Sequence, residues 1–184
     1  VALGAGCSFV ARAVDSDRKH LAQVLTAAAK HRGTSFVEMY QNCPIFNDGA
    51  FDDYKGPEAS QHLIRLADGE PVLVGADGSR GVVRDPVSGE LTVADVAEVG
   101  MDNVLVHDSH RADPSLAFEL AHLDDGVIVS QTPVGIFRDV ERPTYDDQAR
   151  AQVTLAAGDA TDQESRDAAL ATLLAGNDTW EVQG

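Results

Sequence analysis

The sequence predicts an α/β fold that starts with a parallel βαβ unit, continues into a small antiparallel β-rich appendage and ends in C-terminal helices. Two runs of β-forming residues, 7–14 (CSFVARAV) and 34–40 (TSFVEMY), flank a segment with apolar residues at helical spacing. Residues 71–99 carry short β runs separated by turn dipeptides. We therefore expect a βαβ portion at 1–56, a β-rich extension at 57–144 and a helical tail at 145–184.

The βαβ unit combines recognisable helix boundaries with a helical stripe. Residues 15–17 (DSD) supply side chains that cap helix N-termini, and Gly33 ends the helix. Because a single helical crossover joins the two predicted strands, we expect them to be parallel. The predicted buried stripe of the helix consists of Leu21, Val24, Leu25 and Ala28.

The middle of the chain is rich in turn signals. Residues 57–68 (PEASQHLIRLAD) predict a short helix, and residues 104–107 (VLVH) predict one more strand. Residues 75–81 (GADGSRG) contain three glycines but open no helix, so they predict a hairpin turn and not a phosphate-binding loop. The turn dipeptides are Asp77-Gly78, Asp85-Pro86 and Ser88-Gly89.

The last third of the chain predicts mostly helices. Asp113 and Pro114 begin a helix, residues 126–129 are a final strand candidate, and residues 145–162 predict a loosely held helix or linker. Thr161 opens a capping box before the last helix. The predicted buried side of the first of these helices consists of Leu116, Leu120 and Leu123, and the apolar residues of the last are Leu170, Leu173 and Leu174.

Composition excludes several classes of partner. The chain has 184 residues, with 14 Lys and Arg against 30 Asp and Glu, a formal net charge of -16. Such a charge argues against nucleic acid or an anionic membrane surface as partner. No window approaches the roughly 18 apolar residues of a membrane span, and no signal pattern opens the chain. We expect a cytoplasmic protein and, because the chain begins at Val1, a C-terminal fragment of a longer one.

Cys43 is the main candidate for chemistry. It follows the second predicted strand, and ligands of open α/β sheets bind outside the carboxyl ends of the strands. A buried structural thiol, a nucleophile and a metal-cluster ligand all remain open. A nucleophile needs a nearby base, yet His31 falls at the opposite end of that strand and neither His20 nor His62 is placed to serve. The Cys-Pro pair is familiar from iron-sulfur ligation.

Other candidates are weaker. Cys7 is expected to be a small core residue, and two cysteines are too few for a disulfide framework or a four-thiolate metal site. His107 and His110 form a possible two-ligand metal fragment without an evident third ligand. The paired acidic residues are interpreted as solvated surface; they are Asp52-Asp53, Asp124-Asp125 and Asp146-Asp147.

Three motifs together resemble the β subunit of the 2-oxoacid:ferredoxin oxidoreductases, especially the 2-oxoglutarate branch. They are residues 8–12 (SFVAR), residues 19–21 (KHL) opening the helix, and residues 41–44 (QNCP) closing the next strand. The continuations RGVVRDP and TPVGIFRDVERPTYD are similar to this subunit as well. The resemblance covers most of the chain, is strongest over residues 5–54 and is weakest beyond about residue 145.

The resemblance implies a thiamin-diphosphate-binding fold that holds one 4Fe-4S cluster, with Cys43 as the fourth thiolate ligand. It implies CoA-dependent oxidative decarboxylation of 2-oxoglutarate to succinyl-CoA and CO2, with thiamin diphosphate and Mg2+ as further cofactors. The implied partners are the α subunit and ferredoxin. Backbone N–H groups between Asn42 and Asn47 would tune the cluster by hydrogen bonding to its sulfurs.

The departures from the family pattern restrict what this chain alone is expected to do. The GDG-type diphosphate motif and the other three cluster cysteines are absent from the 184 residues. We therefore expect the chain alone to be inactive and assign it no catalytic, diphosphate-binding or Mg2+-binding residue. The resemblance gives no role to His107 or His110. The alternative function is a non-catalytic α/β interaction domain in which Cys43 is structural.

Overall fold

A mixed β-sheet organises the first 142 residues of the computed structural model, which describes residues 1–123, 131–158, 162–177, 180 and 182. The sheet order is β2-β1-β7-β3-β4-β5-β6. The strands are β1 (Phe9–Val14), β2 (Ser35–Tyr40), β3 (Leu63–Leu66), β4 (Leu73–Val74), β5 (Arg80–Arg84), β6 (Leu91–Asp95) and β7 (Thr132–Asp139). The helices are α1 (Arg18–Lys30), α2 (Ala59–His62), α3 (Val96–Val99), α4 (Ser115–Ala121), α5 (Tyr145–Ala157) and α6 (Gln163–Ala175).

The predicted parallel βαβ unit is confirmed. β1 and β2 pair in parallel, and the Asp17 side chain caps α1 by accepting the backbone N–H of His20 at 3.1 Å. Val24 of α1 is buried against alternate residues of β1. The predicted stripe was wrong at Leu25, which is 47% exposed. The side of α1 that meets the sheet consists of Leu21, Val24, Ala27 and Ala28, and Leu25 lies outside it.

The interior strand β7 was not predicted. It pairs antiparallel with β1 and parallel with β3, which makes it the strand that joins the βαβ unit to the rest of the sheet. Gly135 allows the close approach of β3, because a Cβ atom at this position would lie 2.6 Å from the carbonyl oxygen of Leu66. The φ of +127° at Gly135 also favours glycine.

The predicted helix at residues 57–68 was largely wrong. Only α2 is helical there, and the chain then enters β3, where Ile64 is fully buried and Leu66 is 8% exposed. Pairing with β7 on one side and β4 on the other uses the backbone groups of β3, and this tertiary pairing overrides a local pattern that suits a helix.

The antiparallel segment is confirmed, but it is part of the same sheet. β4 pairs with β3, and β5 and β6 follow in antiparallel order. Residues 75–79 connect β4 to β5, which confirms the hairpin turn. Residues 104–107 do not form the predicted regular strand; Val104 and Val106 make isolated bridges to Val83 and Pro71.

The predicted helix after Pro114 is confirmed as α4, which packs against the sheet, but Leu123 lies beyond its end and is only partly buried. Leu116 and Leu120 are 3% and 0% exposed, and both belong to the main core cluster together with Ile64 and Val82. The predicted strand at residues 126–129 and the acidic pair Asp124-Asp125 lie outside the described residues.

Residues 143–184 form a second compact unit that contains α5 and α6. Thr144 and Asp147 form a capping box at the start of α5, and Asp162 caps α6; Thr161 lies outside the described residues. The unit itself does not bury the apolar residues predicted for the last helix, since Leu170, Leu173 and Leu174 are 52%, 79% and 78% exposed. None of the helices in the described part of the chain has the length and apolar character needed to cross a membrane.

Candidate functional site

Cys43 lies where the sequence predicted it, just beyond the carboxyl end of β2. The two parallel strands end side by side, with Val14 opposite Tyr40, and the N–H of Asp15 donates to the carbonyl of Tyr40 at 3.0 Å. Residues 41–49, the Cys43 loop, then leave the sheet. Cys43 itself is partly exposed and forms no disulfide.

Hydrogen bonds within the Cys43 loop close it twice. The N–H of Asn47 donates to the carbonyl of Cys43 at 2.9 Å, which forms the inner closure. The side chain of Asn42 forms the outer one: its amide N–H donates to Asp48 at 2.9 Å, and its oxygen accepts the N–H of Gly49 at 2.9 Å. The loop is thus a short hairpin that presents Cys43 near its base.

Backbone N–H groups of the Cys43 loop favour the thiolate form of Cys43. The N–H of Phe46, followed by that of Ile45 and more weakly that of Asn47, lowers the pKa of the Cys43 thiol below its usual range, against an opposing effect of burial. Pro44 has no N–H, so the first available donor after Cys43 is Ile45. These donors favour the thiolate, which is the form that ligates metals.

An aromatic cluster anchors the chain on both sides of the Cys43 loop. The rings of Tyr40 and Phe51 stack with centroids 4.7 Å apart and an interplanar angle of 13°. Tyr54 lies 6.0 Å from each ring and is 2% exposed, and its hydroxyl meets Thr132 Oγ1 at 2.6 Å. The loop is therefore tied to β2 before it and to β7 after it.

Arg12 is a buried cation that the sequence analysis did not single out as functional. Its Nε donates to Glu38 at 2.7 Å, and its guanidinium carbon lies 5.2 Å from the Tyr40 ring and 5.3 Å from the Phe137 ring. A charged residue within a strand whose residues are otherwise all apolar was the available signal. Arg12 supports the same aromatic cluster from the middle of the sheet.

The opposite end of the β1–β2 pair contains Cys7 and His31. Cys7 is 8% exposed, with Sγ 3.1 Å from the carbonyl oxygen of Phe9 and 3.2 Å from that of Thr34, which confirms a core thiol. His31 meets Ser8 Oγ at 2.9 Å and Asp139 Oδ1 at 2.7 Å. A six-residue strand spans about 20 Å, so neither residue reaches Cys43.

Among the described residues, His107 and His110 belong to no group of side chains that could hold a metal ion. His107 is 1% exposed and its Nε2 donates to the carbonyl of Ile136 at 2.7 Å. His110 Nδ1 donates to the carbonyl of Asp139 at 2.6 Å; that bond raises the pKa of His110 against the effect of burial, and the nearby Asp68 carboxylate adds to the rise. Residues 1–123, 131–158 and 162–177 contain no group of three side chains able to hold a metal ion.

The residues present fit one ligand of a shared metal cluster and no complete cofactor site. Cys43 offers a partly exposed sulfur beyond the carboxyl end of β2, and the lowered pKa of its thiol favours the thiolate. Cys7 is too distant and too buried to be a second ligand, and the chain has two cysteines in total. No residue is assigned to the diphosphate of thiamin diphosphate or to its Mg2+.

Known proteins resemble this chain, one of them over nearly all of its length. The 2-oxoglutarate oxidoreductase subunit KorB of Mycobacterium tuberculosis is 48% identical over 182 residues, which are 99% of this chain and 47% of that protein. The β subunits of the 2-oxoacid:ferredoxin oxidoreductases of Saccharolobus solfataricus and a Sulfolobus species are each 40% identical over 48 residues, 26% of this chain and 16% of theirs. No protein-family model matches the chain.

A solved structure shares the fold. The 2-oxoglutarate:ferredoxin oxidoreductase of Magnetococcus marinus, with 2-oxoglutarate, coenzyme A and succinyl-CoA bound, matches 90% of this chain and 40% of its own, with a TM-score of 0.51 and 18% identity. The predicted resemblance is confirmed, and the α/β sheet matches part of that enzyme. The chain spans about half the length of the KorB subunit.

Proposed function

We propose that this chain, whose similarity to a 2-oxoglutarate oxidoreductase subunit extends over 99% of its residues, is part of the β subunit of a 2-oxoglutarate:ferredoxin oxidoreductase. The complete enzyme would convert 2-oxoglutarate and coenzyme A to succinyl-CoA and CO2 and pass electrons to ferredoxin, with the α subunit as its partner. The position of Cys43, partly exposed and just beyond the carboxyl end of β2, is the observation in the structure that supports this most directly.

In this proposal Cys43 is one of four thiolate ligands of a 4Fe-4S cluster. A bound cluster supplies one-electron transfer. The residues of this chain position the sulfur beyond the end of β2, and the backbone N–H groups of the loop favour its thiolate form. The remaining cluster cysteines would lie outside these 184 residues, as would the residues that hold thiamin diphosphate and Mg2+.

The proposal includes the organisation of the chain. Residues 1–56 would be the βαβ portion of the thiamin-diphosphate-binding domain, residues 57–144 its β-rich extension and residues 145–184 a helical tail. A cytoplasmic location agrees with this function, since ferredoxin and 2-oxoglutarate would have to meet the enzyme there. The chain alone would be inactive, because it supplies one cluster ligand and no cofactor site.

The test is an assay of the complete β subunit, co-produced with its α subunit and purified without oxygen. We expect 2-oxoglutarate and coenzyme A together to reduce ferredoxin and to yield CO2 and succinyl-CoA in equal amounts. The 184-residue chain alone should give neither product. Pyruvate in place of 2-oxoglutarate tests the proposed substrate. Absence of ferredoxin reduction with every 2-oxoacid, in a preparation that is folded and contains both subunits, would reject the proposal.

The alternative is a non-catalytic α/β interaction domain with a structural Cys43. The observation in its favour is that the described residues contain no complete metal site. It predicts that the complete protein, purified without oxygen, contains no iron and no acid-labile sulfide. The same preparation therefore separates the two functions.

A further inference from the structure

The side chain of Asn42 is the outer clasp of the Cys43 loop. It reaches from the residue before Cys43 to Asp48 and Gly49, with both hydrogen bonds at 2.9 Å. Gly49 has a φ of +78°, a conformation that favours glycine, and its N–H donates to Asn42. The clasp therefore depends on one side chain that joins the two ends of the loop.

We propose that Asn42 is a positioning residue for the proposed cluster: its clasp keeps the hairpin of residues 43–47 closed and so fixes where Cys43 presents its sulfur. This inference rests on the proposed function, because it concerns the same sulfur. Asn42 itself touches neither substrate nor cluster in this account and acts through the loop backbone.

The exposure of the loop shows why a clasp is needed. Residues 44–49 are all exposed, and the two largest side chains, Ile45 and Phe46, are 83% and 89% exposed. Packing in the described core therefore contributes little to the conformation of these residues. Hydrogen bonds hold them instead: the Asn47-to-Cys43 backbone bond closes the inner turn, and the Asn42 side chain closes the outer one.

The consequence for a bound cluster follows from electrostatics. Reduction adds negative charge to the cluster, and N–H donors aimed at its sulfurs stabilise the more negative state. Opening the clasp allows the hairpin of residues 43–47 to loosen, so that its backbone N–H groups and the sulfur of Cys43 no longer hold their positions. The midpoint potential then becomes more negative, and the sulfur is held less firmly, so the cluster is lost sooner.

The experiment uses the complete β subunit, purified without oxygen, with the variants Asn42→Ala, Asn42→Asp and the double exchange Asn42→Asp/Asp48→Asn. The readouts are the midpoint potential and the half-time of cluster loss to an iron chelator. Asn103→Ala is the matched control, because the Asn103 side chain also bonds to the backbone, at Val99, but in a 3-10 turn away from Cys43.

We expect Asn42→Ala to lose its cluster about tenfold faster, the lower end of the effect of removing residues that support metal ligands, and to have a more negative potential. Asn42→Asp behaves similarly, because it places a carboxylate opposite Asp48. The double exchange restores both readouts, since the new carboxylate accepts from Gly49 N–H and from the amide at position 48. Asn103→Ala matches the unmodified subunit.

A failure of the role of Asn42 can be distinguished from a failure of the proposed function. If Asn42→Ala only lowers the yield of folded subunit and the clusters that remain keep the original potential and lifetime, Asn42 is a folding residue and the inference is wrong. A double exchange that restores nothing also contradicts it. If Asn42→Ala does not fold, Asp48→Ala, which removes one of the two bonds, takes its place. An unmodified subunit without a cluster would overturn the proposed function instead.

Discussion

The two ends of the β1–β2 pair differ in how they use the same two strands. At the amino end, Ser8 and Cys7 are 2% and 8% exposed, and His31 joins Ser8 to Asp139 through its two ring nitrogens. At the carboxyl end, the Cys43 loop is exposed and is held by its own hydrogen bonds. The comparison shows how a parallel pair can be closed by partly buried hydrogen bonds at its amino end and left open and exposed at its carboxyl end.

The largest difference is expected in thiol reactivity. In the folded chain we expect iodoacetamide to modify Cys43 more than about a hundredfold faster than Cys7, because Cys7 reacts only after the core opens. The lowered pKa of Cys43 means that its thiolate persists to lower pH, so the midpoint of its rate against pH lies below that of the denatured chain. Mass spectrometry of peptides over a range of pH measures both. Equal rates for the two thiols would remove the distinction between the ends.

The closed amino end of the β1–β2 pair is expected to contribute strongly to the free energy of unfolding. His31→Ala removes a side chain that is 1% exposed and leaves Ser8 and Asp139 without this partner, so we expect the free energy of unfolding to fall by about 3 kcal/mol. Chemical denaturation measures it. His122→Ala is the control, since the His122 hydrogen bond to the Phe118 carbonyl is exposed, and it should change stability by less than about 0.5 kcal/mol. Similar losses in both variants would contradict a special role for the closed end.

The aromatic cluster behind the open end is expected to contribute less. Tyr54→Phe removes the hydroxyl that meets Thr132 Oγ1 at 2.6 Å, and Thr132 is fully buried, so we expect a loss of about 1.5 kcal/mol. Tyr145→Phe, at a tyrosine that is 87% exposed, serves as the control and should be neutral. No loss in Tyr54→Phe would show that β7 does not hold the chain beyond the Cys43 loop through this bond.

The smallest effect is expected for the cysteines themselves in this chain. Cys7→Ala should cost about 1 kcal/mol, because a buried thiol that contacts two carbonyl groups is removed. Cys43→Ala should change the free energy of unfolding by less than about 0.5 kcal/mol, because the side chain is partly exposed and the loop bonds involve the backbone and Asn42. A larger loss for Cys43→Ala than for Cys7→Ala would favour a structural Cys43.

The sequence was sufficient for the features that depend on local signals. The DSD cap, the helical stripe around Val24 and the flanking β runs predicted the βαβ unit, and that unit placed Cys43 beyond a strand end. It was insufficient for β3 and β7, because their strand character comes from pairing with each other across almost seventy residues, and a local pattern carries no information about that pairing.

The same distinction holds within the candidate site. Cys43 was predicted from its position and from the Gln-Asn-Cys-Pro motif, which are visible in the chain. The clasp of Asn42 and the contacts of Arg12 were missed, because each joins residues through side-chain geometry: Asn42 to Asp48 across the loop, and Arg12 to Phe137 across the sheet. An asparagine two residues past a strand is too common to indicate such a role.

The assignment of Cys43 as a cluster ligand is tested by the iron and acid-labile sulfide content of the complete β subunit purified without oxygen, with Cys43→Ala and Cys7→Ala side by side. We expect the unmodified subunit and Cys7→Ala to contain an intact 4Fe-4S cluster, whereas Cys43→Ala loses the cluster and its spectroscopic signal. Full iron and sulfide content in Cys43→Ala would contradict the assignment of Cys43 as a cluster ligand.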